Sequence, residues 1–474
     1  MLSVIRRCST SAASKPAVYS HRSGAKTKAK KSTSFSLKTP RGTRDFCPAE
    51  VIHREATISA IKSIFTNHGG EPIDTPVFEL TDVLLGKYGG EASKLIYDLG
   101  AEDGGEKYSL RYDVTVPFAR FLGANRISKM KRFQIGKVYR REQPVVQRGR
   151  FCEFYQCDFD IAGDYPKMVA DAECLKIVDE VVKKLNLGPF TTRVNHRSLL
   201  GGVLIHCGVP QEATMSVCSS IDKLDKESWN FVAEELQTKK NIPSHVISQL
   251  EKFVRFQGDS KDTLQMLEGE IKSPQVGESI ADLNLLFSYC NAFQIAPSFD
   301  LSLARGLDYY TGMIFETVLT EDDLKTGSIA AGGRYDNLVE SLTSRTKKPF
   351  SVPCVGLSIG IERIFALLQK RQENPKTITT EVFVASPQKN LLKERMAVCG
   401  KLWNAGISAQ FEYKNNSKIL DQLQFCEANA VKYVVIVGAQ EAAEGVVKLK
   451  NMATREETVV KEEDIVEETR KRIC

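Results

Sequence analysis

The chain has 474 residues, enough for two or three domains, and its 42% hydrophobic content supports real cores. No window approaches ~18 consecutive apolar residues, so no membrane span is expected and a membrane is excluded as a partner. The net charge of +6 suggests nucleic acid, but residues Met1 to Arg44 hold eleven Lys or Arg and no acid, which leaves 54 basic against 59 acidic residues elsewhere. The body is therefore mildly acidic, and any nucleic-acid site must be a local patch rather than a global field.

The first segment, 1–37, is basic, Ser-rich and free of acids, and it lacks the continuous apolar core of a secretory signal. This is transit-peptide composition, with disorder expected along it and delivery to the mitochondrial matrix as the reading. A solvated basic tail touching RNA is the plainer alternative. The next methionine after Met1 is Met130, inside the folding region, so a cytosolic form would need a different transcript or start codon.

Folding signals begin at "TPRGTRDF", a turn-rich start. The apolar spacing from Pro48 to His68 predicts a helix stopped by Gly69 and Gly70. "KYSLRYDVTVPFARFL" alternates and then turns helical. "MKRFQIGKVYRRE" and "GRFCEFYQCDFDIAG" read as an antiparallel pair joined by a polar, basic loop. "DYPKMVADAECLKIVDEVVKKLNLG" is an amphipathic helix ended by Gly188. From about 195 to 297 the pattern is mostly helical and charged, which reads as an insertion. Strands resume at "SFDLSLARGLDYYTGMIFETVL" and continue through "GSIAAGGRYDNLVESL" and "PCVGLSIGIERIFALLQKR". A polar linker spans 371–380. Residues 381–474 alternate strand and helix, a small α/β domain with its own core.

Several chemistries lose their support. There is no G-x-x-x-x-G-K-[ST] and no G-x-G-x-x-G, so a nucleotide site must be built from side chains on a sheet. The twelve cysteines contain no Cys-x-x-Cys, Cys152 and Cys157 being the closest pair, and the six histidines do not join them at zinc spacing. Reduced thiols and no zinc or other metal site are expected. His196 and His206 read as ordinary core or surface residues.

Two stretches carry chemistry. In "VYRREQPVVQRGRFCEF", Arg140 and Glu142 are two apart and Arg150 and Phe154 four apart, so a hairpin could present all of them on one face. Guanidiniums suit phosphate oxygens, and a ring beside arginine can sandwich a purine. Taken alone, this is equally an ordinary salt-bridged hairpin. In "GLSIGIERIF", Gly356 and Gly360 bracket a strand-to-helix step, and Arg363 near the helix start could reach a terminal phosphate or simply lie on the surface.

Together these stretches resemble the motifs of class II aminoacyl-tRNA synthetases. Y-R-x-E, a loop and R-x-x-x-F are similar to motif 2, "GLSIGIERI" to motif 3, and "EPIDTPVFELTDVLL" around Pro76 to motif 1 at a dimer interface. "LARGLDYYTG" and "AAGGRYDNLV" resemble the two signatures of histidyl-tRNA synthetases, and the last α/β unit resembles their anticodon-binding domain. The resemblance runs in family order from about Lys38 to Cys474 and is of the eukaryotic type. It implies an α/β chain whose α+β catalytic domain, 38–370, has a mostly antiparallel sheet. It implies a homodimer that joins L-histidine to tRNA(His) using ATP and Mg²⁺, with no prosthetic group.

The resemblance also implies roles. Arg140 would hold the α-phosphate and the histidine carboxylate, with Arg305 approaching the same phosphate from the other side. Glu142 would contact the adenine side, Phe154 would stack on the base and Arg363 would grip the γ-phosphate. Asp113, Thr115 and Gln156 would bind the ammonium. Tyr309, Tyr310 and Asp160 would line the imidazole pocket, Tyr310 and Asp160 each taking a ring nitrogen. Asp160 stands where bacterial relatives often carry Glu. Gly332 and Gly333 would let backbone approach the ligand. Gln147, Arg148 and Arg150 would reach the tRNA acceptor end, and Lys414, Lys418 and Lys432 the anticodon arm. The alternative is a non-catalytic relative with a regulatory or RNA-binding role, which would usually lack part of this set.

Overall fold

The structure, a computed structural model, describes residues 37–85, 94–101, 105–143, 151–255, 259–304, 309–321, 327–344, 346–371 and 379–473. Almost the whole leader lies outside the described residues, as do Gln147, Arg148, Arg150 and Arg305. The chain divides into two compact units, one of residues 38–44 with 57–371, the other of 45–56 with 372–474. Among the described residues no helix is long and apolar enough to cross a membrane.

The first unit contains β1 (Glu71–Pro72), β2 (Phe78–Leu80), β3 (Asp98–Ala101), β4 (Lys107–Leu110), β5 (Met130–Tyr139), β6 (Glu153–Ala162), β7 (Phe190–His196), β8 (Ser298–Phe299), β9 (Met313–Leu319), β10 (Ser328–Arg334) and β11 (Cys354–Ile359). Eight of them form one mixed sheet in the order β1-β5-β6-β11-β10-β9-β7-β8. Its interior pairings are antiparallel, and β1 and β8 join at the edges in parallel. Strands β2, β4 and β3 make a small separate sheet.

The alternation of β6 positions the site. Cys157, Phe159 and Ile161 point to one face and join the main core. There Phe159 meets Phe65 at 5.3 Å between ring centroids, and Phe65 meets Phe133 at 5.7 Å. Phe65 comes from α1 (Pro48–Asn67). The alternate residues of β6, from Phe154 through Gln156 and Asp158 to Asp160, share the opposite face. Helix α2 (Thr115–Asn125) follows the loop that carries Asp113.

Helix α3 (Val169–Lys184) buries Leu175, Val178, Val181 and Val182 against the sheet. It stops earlier than its glycine suggests. Asn186 adopts the left-handed conformation, φ 48°, and Leu187 N–H bonds Val182 C=O at 3.1 Å, so asparagine makes the turn and Gly188 follows it.

Between β7 and β8 the chain is helical, including α4 (Arg197–His206), α5 (Thr214–Ile221) and further helices up to Ala292. After β11, α6 (Ile361–Arg371) begins, with Glu362 in its first turn where the helix dipole favours a carboxylate.

The second unit has a five-stranded sheet, β12 (Val382–Ala385), β13 (Ala409–Phe411), β14 (Tyr433–Ile436), β15 (Val446–Asn451) and β16 (Glu457–Lys461), in the order β13-β12-β14-β15-β16. Strand β12 is apolar at every position because both of its faces are covered. Val382 and Val384 join one cluster with Val398 and Leu402, while Phe383 and Ala385 join another with Cys426 and Val434.

Candidate active site

A cavity of about 680 Å³ opens in the first unit. Arg140, Glu142, Phe154, Gln156, Thr115, Tyr309, Tyr310, Gly332 and Arg363 all line it, so residues separated by up to 248 positions in the chain converge there. Its volume is ordinary for a small-molecule site. Arg197 of α4, Met215 and Cys218 of α5 and Asp222 line it too. The insertion therefore contributes a wall, which no local pattern announced.

Arg140 and Glu142 were expected on a strand. They lie just past it, because β5 ends at Tyr139, although Arg140 N–H still bonds Cys152 C=O at 2.9 Å. The side chain is fixed by other means. Its Nε donates to the Tyr112 carbonyl at 3.1 Å. Its guanidinium lies 4.2 Å from the Tyr112 ring centroid and 5.1 Å from that of Phe154. Glu142 stands 4.0 Å away, so the cation keeps a loose carboxylate partner.

At another side of the cavity, Arg363 donates through Nη1 to the Ser328 carbonyl and to Ser328 Oγ at 3.2 Å. Its neighbour Glu362 turns inward and accepts the Tyr155 N–H at 3.2 Å.

The third group is acidic and deeper. Asp113, Asp158 and Asp160 are each nearly inaccessible, and Arg132, equally buried, lies among them. Arg132 pairs with Asp160 at 2.7 Å, donates to the Val114 carbonyl at 3.0 Å and stacks 4.4 Å over Phe118. Asp160 also accepts the Tyr335 hydroxyl. Asp113 Oδ1 accepts the Val116 N–H at 3.0 Å and so caps the start of α2. Asp113 and Asp160 thus sit behind the cavity wall, whereas Thr115 and Gln156 line it.

Burial pushes the Asp158 carboxyl up to about 7, with the neighbouring Asp160 charge adding to it and Arg132 opposing it. Burial likewise raises Asp160. Tyr310 packs against Tyr309 at 5.1 Å and Tyr335 at 6.5 Å, and burial raises its phenol, with Asp158 adding to it, so it stays a neutral donor.

Gly332, which lines the cavity, and Gly333 also have a reason within the sheet. A Cβ on Gly332 would run into the Gly356 carbonyl oxygen, and one on Gly333 would meet the Met313 carbonyl at 2.5 Å. The protein's own sheet takes that room. Gly356 is bare because the Asp160 carboxylate fills the space beside it.

Asp158, Arg132, Tyr335 and Glu362 were missed as site residues. Asp158 stands between Gln156 and Asp160 on the same face of β6, so alternation along that strand pointed to it, whereas those two came from the resemblance. Arg132 and Tyr335 show their roles only through partners distant in sequence. All ten described cysteines are free thiols, and among the described residues no group of three His, Cys, Asp or Glu could hold a metal ion.

A family model of histidyl-tRNA synthetase matches residues 42–364, and one of an anticodon binding domain matches 381–472. The chain belongs to the histidyl-tRNA synthetase family. This synthetase is 48% identical over 456 residues to a mitochondrial histidine–tRNA ligase of Bos taurus, covering 93% of this chain and 89% of that one. It is also 48% identical to the mitochondrial ligase of Homo sapiens, over 93% of this chain and 89% of that one. To a cytoplasmic ligase of Takifugu rubripes it is 48% identical, over 92% and 88% respectively. Its fold matches the crystal structure of histidyl-tRNA synthetase from Nostoc sp. PCC 7120 with a TM-score of 0.78 and 28% identity, over 92% of this chain and all of that one. It is therefore an aminoacyl-tRNA synthetase with a mixed α/β fold and a C-terminal anticodon-binding unit.

Proposed function

We propose that the cavity activates L-histidine with ATP and hands the histidyl group to tRNA(His). In the first step the histidine carboxylate attacks the α-phosphorus, a P–O bond forms, and the bond to pyrophosphate breaks. In the second, the hydroxyl of the terminal tRNA ribose attacks the activated carbonyl and AMP leaves. Both steps need positioning and charge stabilisation rather than a protein nucleophile. The observation that carries this reading is the joint lining of one cavity by Arg140, Arg363 and the Thr115–Gln156–Tyr310 group.

On this reading Arg140 and Arg305 offset charge developing at the α-phosphate, and Arg363 takes the γ-phosphate. Phe154 stacks on adenine, and Glu142 contacts the nucleotide. ATP enters with Mg²⁺, which is carried by the triphosphate. Asp113, Thr115 and Gln156 take the ammonium, with Asp113 acting from behind the wall. Tyr310 and Asp160 take the imidazole nitrogens, and Tyr309 packs beside them. Asp160 keeps lone pairs beyond those used by Tyr335 and Arg132.

Gln147, Arg148 and Arg150 serve the acceptor end, and the exposed Lys414, Lys418 and Lys432 serve the anticodon arm. The small β2-β4-β3 sheet supports a homodimer, since Phe78 is 52% and Leu99 55% exposed there. The domain limits 38–370, 371–380 and 381–474 and mitochondrial delivery through the leader complete the proposal. The test is histidine-dependent exchange of labelled pyrophosphate into ATP on protein lacking the leader, with Arg305→Ala beside it. Exchange only with histidine, collapsing in the variant, is expected. No exchange from a folded dimer would overturn the reading.

A further inference from the structure

Arg140 and Glu142 face the cavity from a stretch past the end of β5, so contacts other than the sheet ladder fix its backbone. Cys152 holds that stretch at both ends. Its carbonyl accepts the Arg140 N–H at 2.9 Å, and its thiol donates to the Glu142 carbonyl at 3.4 Å. Between these points, Arg141 N–H bonds the Leu95 carbonyl at 2.8 Å. Cys152 is 6% exposed and stands behind the cavity wall, one residue after Phe151, which lines it.

The cysteine is itself held by the turn at the start of the unit. Its N–H donates to the Gly42 carbonyl at 2.8 Å. Gly42 is the third residue of a turn closed by Thr43 N–H on the Pro40 carbonyl at 3.1 Å, and its φ of 78° is one that glycine adopts without strain. The fit is also close, because a Cβ on Gly42 would run into Cys152 Sγ. The Tyr97 phenol hydrogen-bonds the same sulfur. The thiol thus gives one bond to Glu142 and takes one from Tyr97, which suits a small group that both donates and accepts. An alanine methyl would do neither. The backbone bond to Arg140 does not depend on the cysteine side chain, and the Arg140 guanidinium is aimed by Tyr112. What the thiol controls is the segment at Glu142.

We propose that Cys152 is a positioning residue for the nucleotide side of this site, its thiol setting the backbone of Glu142 and so the placing of that carboxylate against ATP. This rests on the proposed function, in which Glu142 contacts the nucleotide. The amino-acid side of the cavity is not involved.

The test measures pyrophosphate exchange by the full chain with and without Cys152→Ala, in the wild-type and Glu142→Ala backgrounds. The expected result is a KM for ATP raised about 3–10-fold, the loss of one neutral hydrogen bond, with the KM for histidine and kcat within about twofold. In the Glu142→Ala background the same substitution should change nothing, because the carboxylate it places is gone. Cys152→Ser keeps a donor and an acceptor and should recover most of the loss. An unchanged KM for ATP would overturn the proposal. So would an undiminished effect in the Glu142→Ala background, or equal rises in both KM values, either of which would make Cys152 merely structural. If Cys152→Ala does not fold, Gly42→Ala, whose methyl displaces the sulfur, is read by the same ratio of KM values in both backgrounds. Inactivity of the wild type would defeat the functional reading itself and shows before any substitution is made.

Discussion

The guanidinium of Arg140 rests on Tyr112 twice over, stacked 4.2 Å from its ring centroid and bonded through Nε to its carbonyl at 3.1 Å. A planar, forked cation satisfies both contacts at once, and an ammonium cannot. Arg140→Lys keeps the charge and loses the aim. The expected outcome is a fall of about 10²-fold or more in pyrophosphate exchange, the scale of a lost preorganised donor. The melting temperature should stay close to wild type. A variant with near-normal exchange would mean that charge alone suffices.

Gly356→Ala places a methyl group against the Asp160 carboxylate. Asp160 cannot retreat freely, because Tyr335 and Arg132 hold it. Overpacking of this kind costs about 1–3 kcal/mol. Urea unfolding should show that loss, and the KM for histidine should rise with it. Unchanged stability would show that the sheet yields there.

His68 lies between Glu173 and Glu180, 3.2 Å from each. The hydrogen bond to Glu173 raises its pKa most, against burial, and Glu180 adds to the rise. A folded-state pKa above the unfolded value means that the protonated ring stabilises the fold. That stability is fully present below about 6.5 and is lost as pH rises through the folded value. Comparing wild type with His68→Asn by thermal melting, the gap should be larger at pH 6 than at pH 9. A gap independent of pH would remove the charge from this account.

Phe78→Glu puts a carboxylate on an exposed apolar strip. If that strip is the dimer face, sedimentation should shift from dimer to monomer at micromolar concentration, and histidine activation should fall with it. A dimer that persists would place the interface elsewhere.

Much of the fold could be read in advance because periodicity is local. Alternation in "GRFCEFYQCDFDIAG" gave a strand, and β6 runs Glu153–Ala162. In the second unit the strand–helix alternation appears as written. What escaped were endings and long-range partners. Arg140 and Glu142 left the strand because β5 ends at Tyr139, a boundary set by where ladder pairing ceases. The end of α3 fell to Asn186, whose left-handed turn is a choice open to asparagine as well as glycine. The Arg132–Asp160 pair shares a cross-strand register position, yet nothing near either residue identifies the other as its partner. The glycines were readable as close approaches, but not which neighbour approaches.

Glu362 accepts the amide proton of Tyr155, and Tyr155 stands between Phe154 and Gln156 in the chain. Glu362 is itself bonded in sequence to Arg363. Arg363, Phe154 and Gln156, which on the proposed reading hold the far phosphate, the base and the amino acid, are thus joined by one buried carboxylate and three peptide bonds. A ligand that draws on Arg363 pulls on the same short linkage that sets Phe154 and Gln156. On the proposed reading the two substrates rest on residues that share this one short linkage, so a change at Glu362 would reach both binding sites.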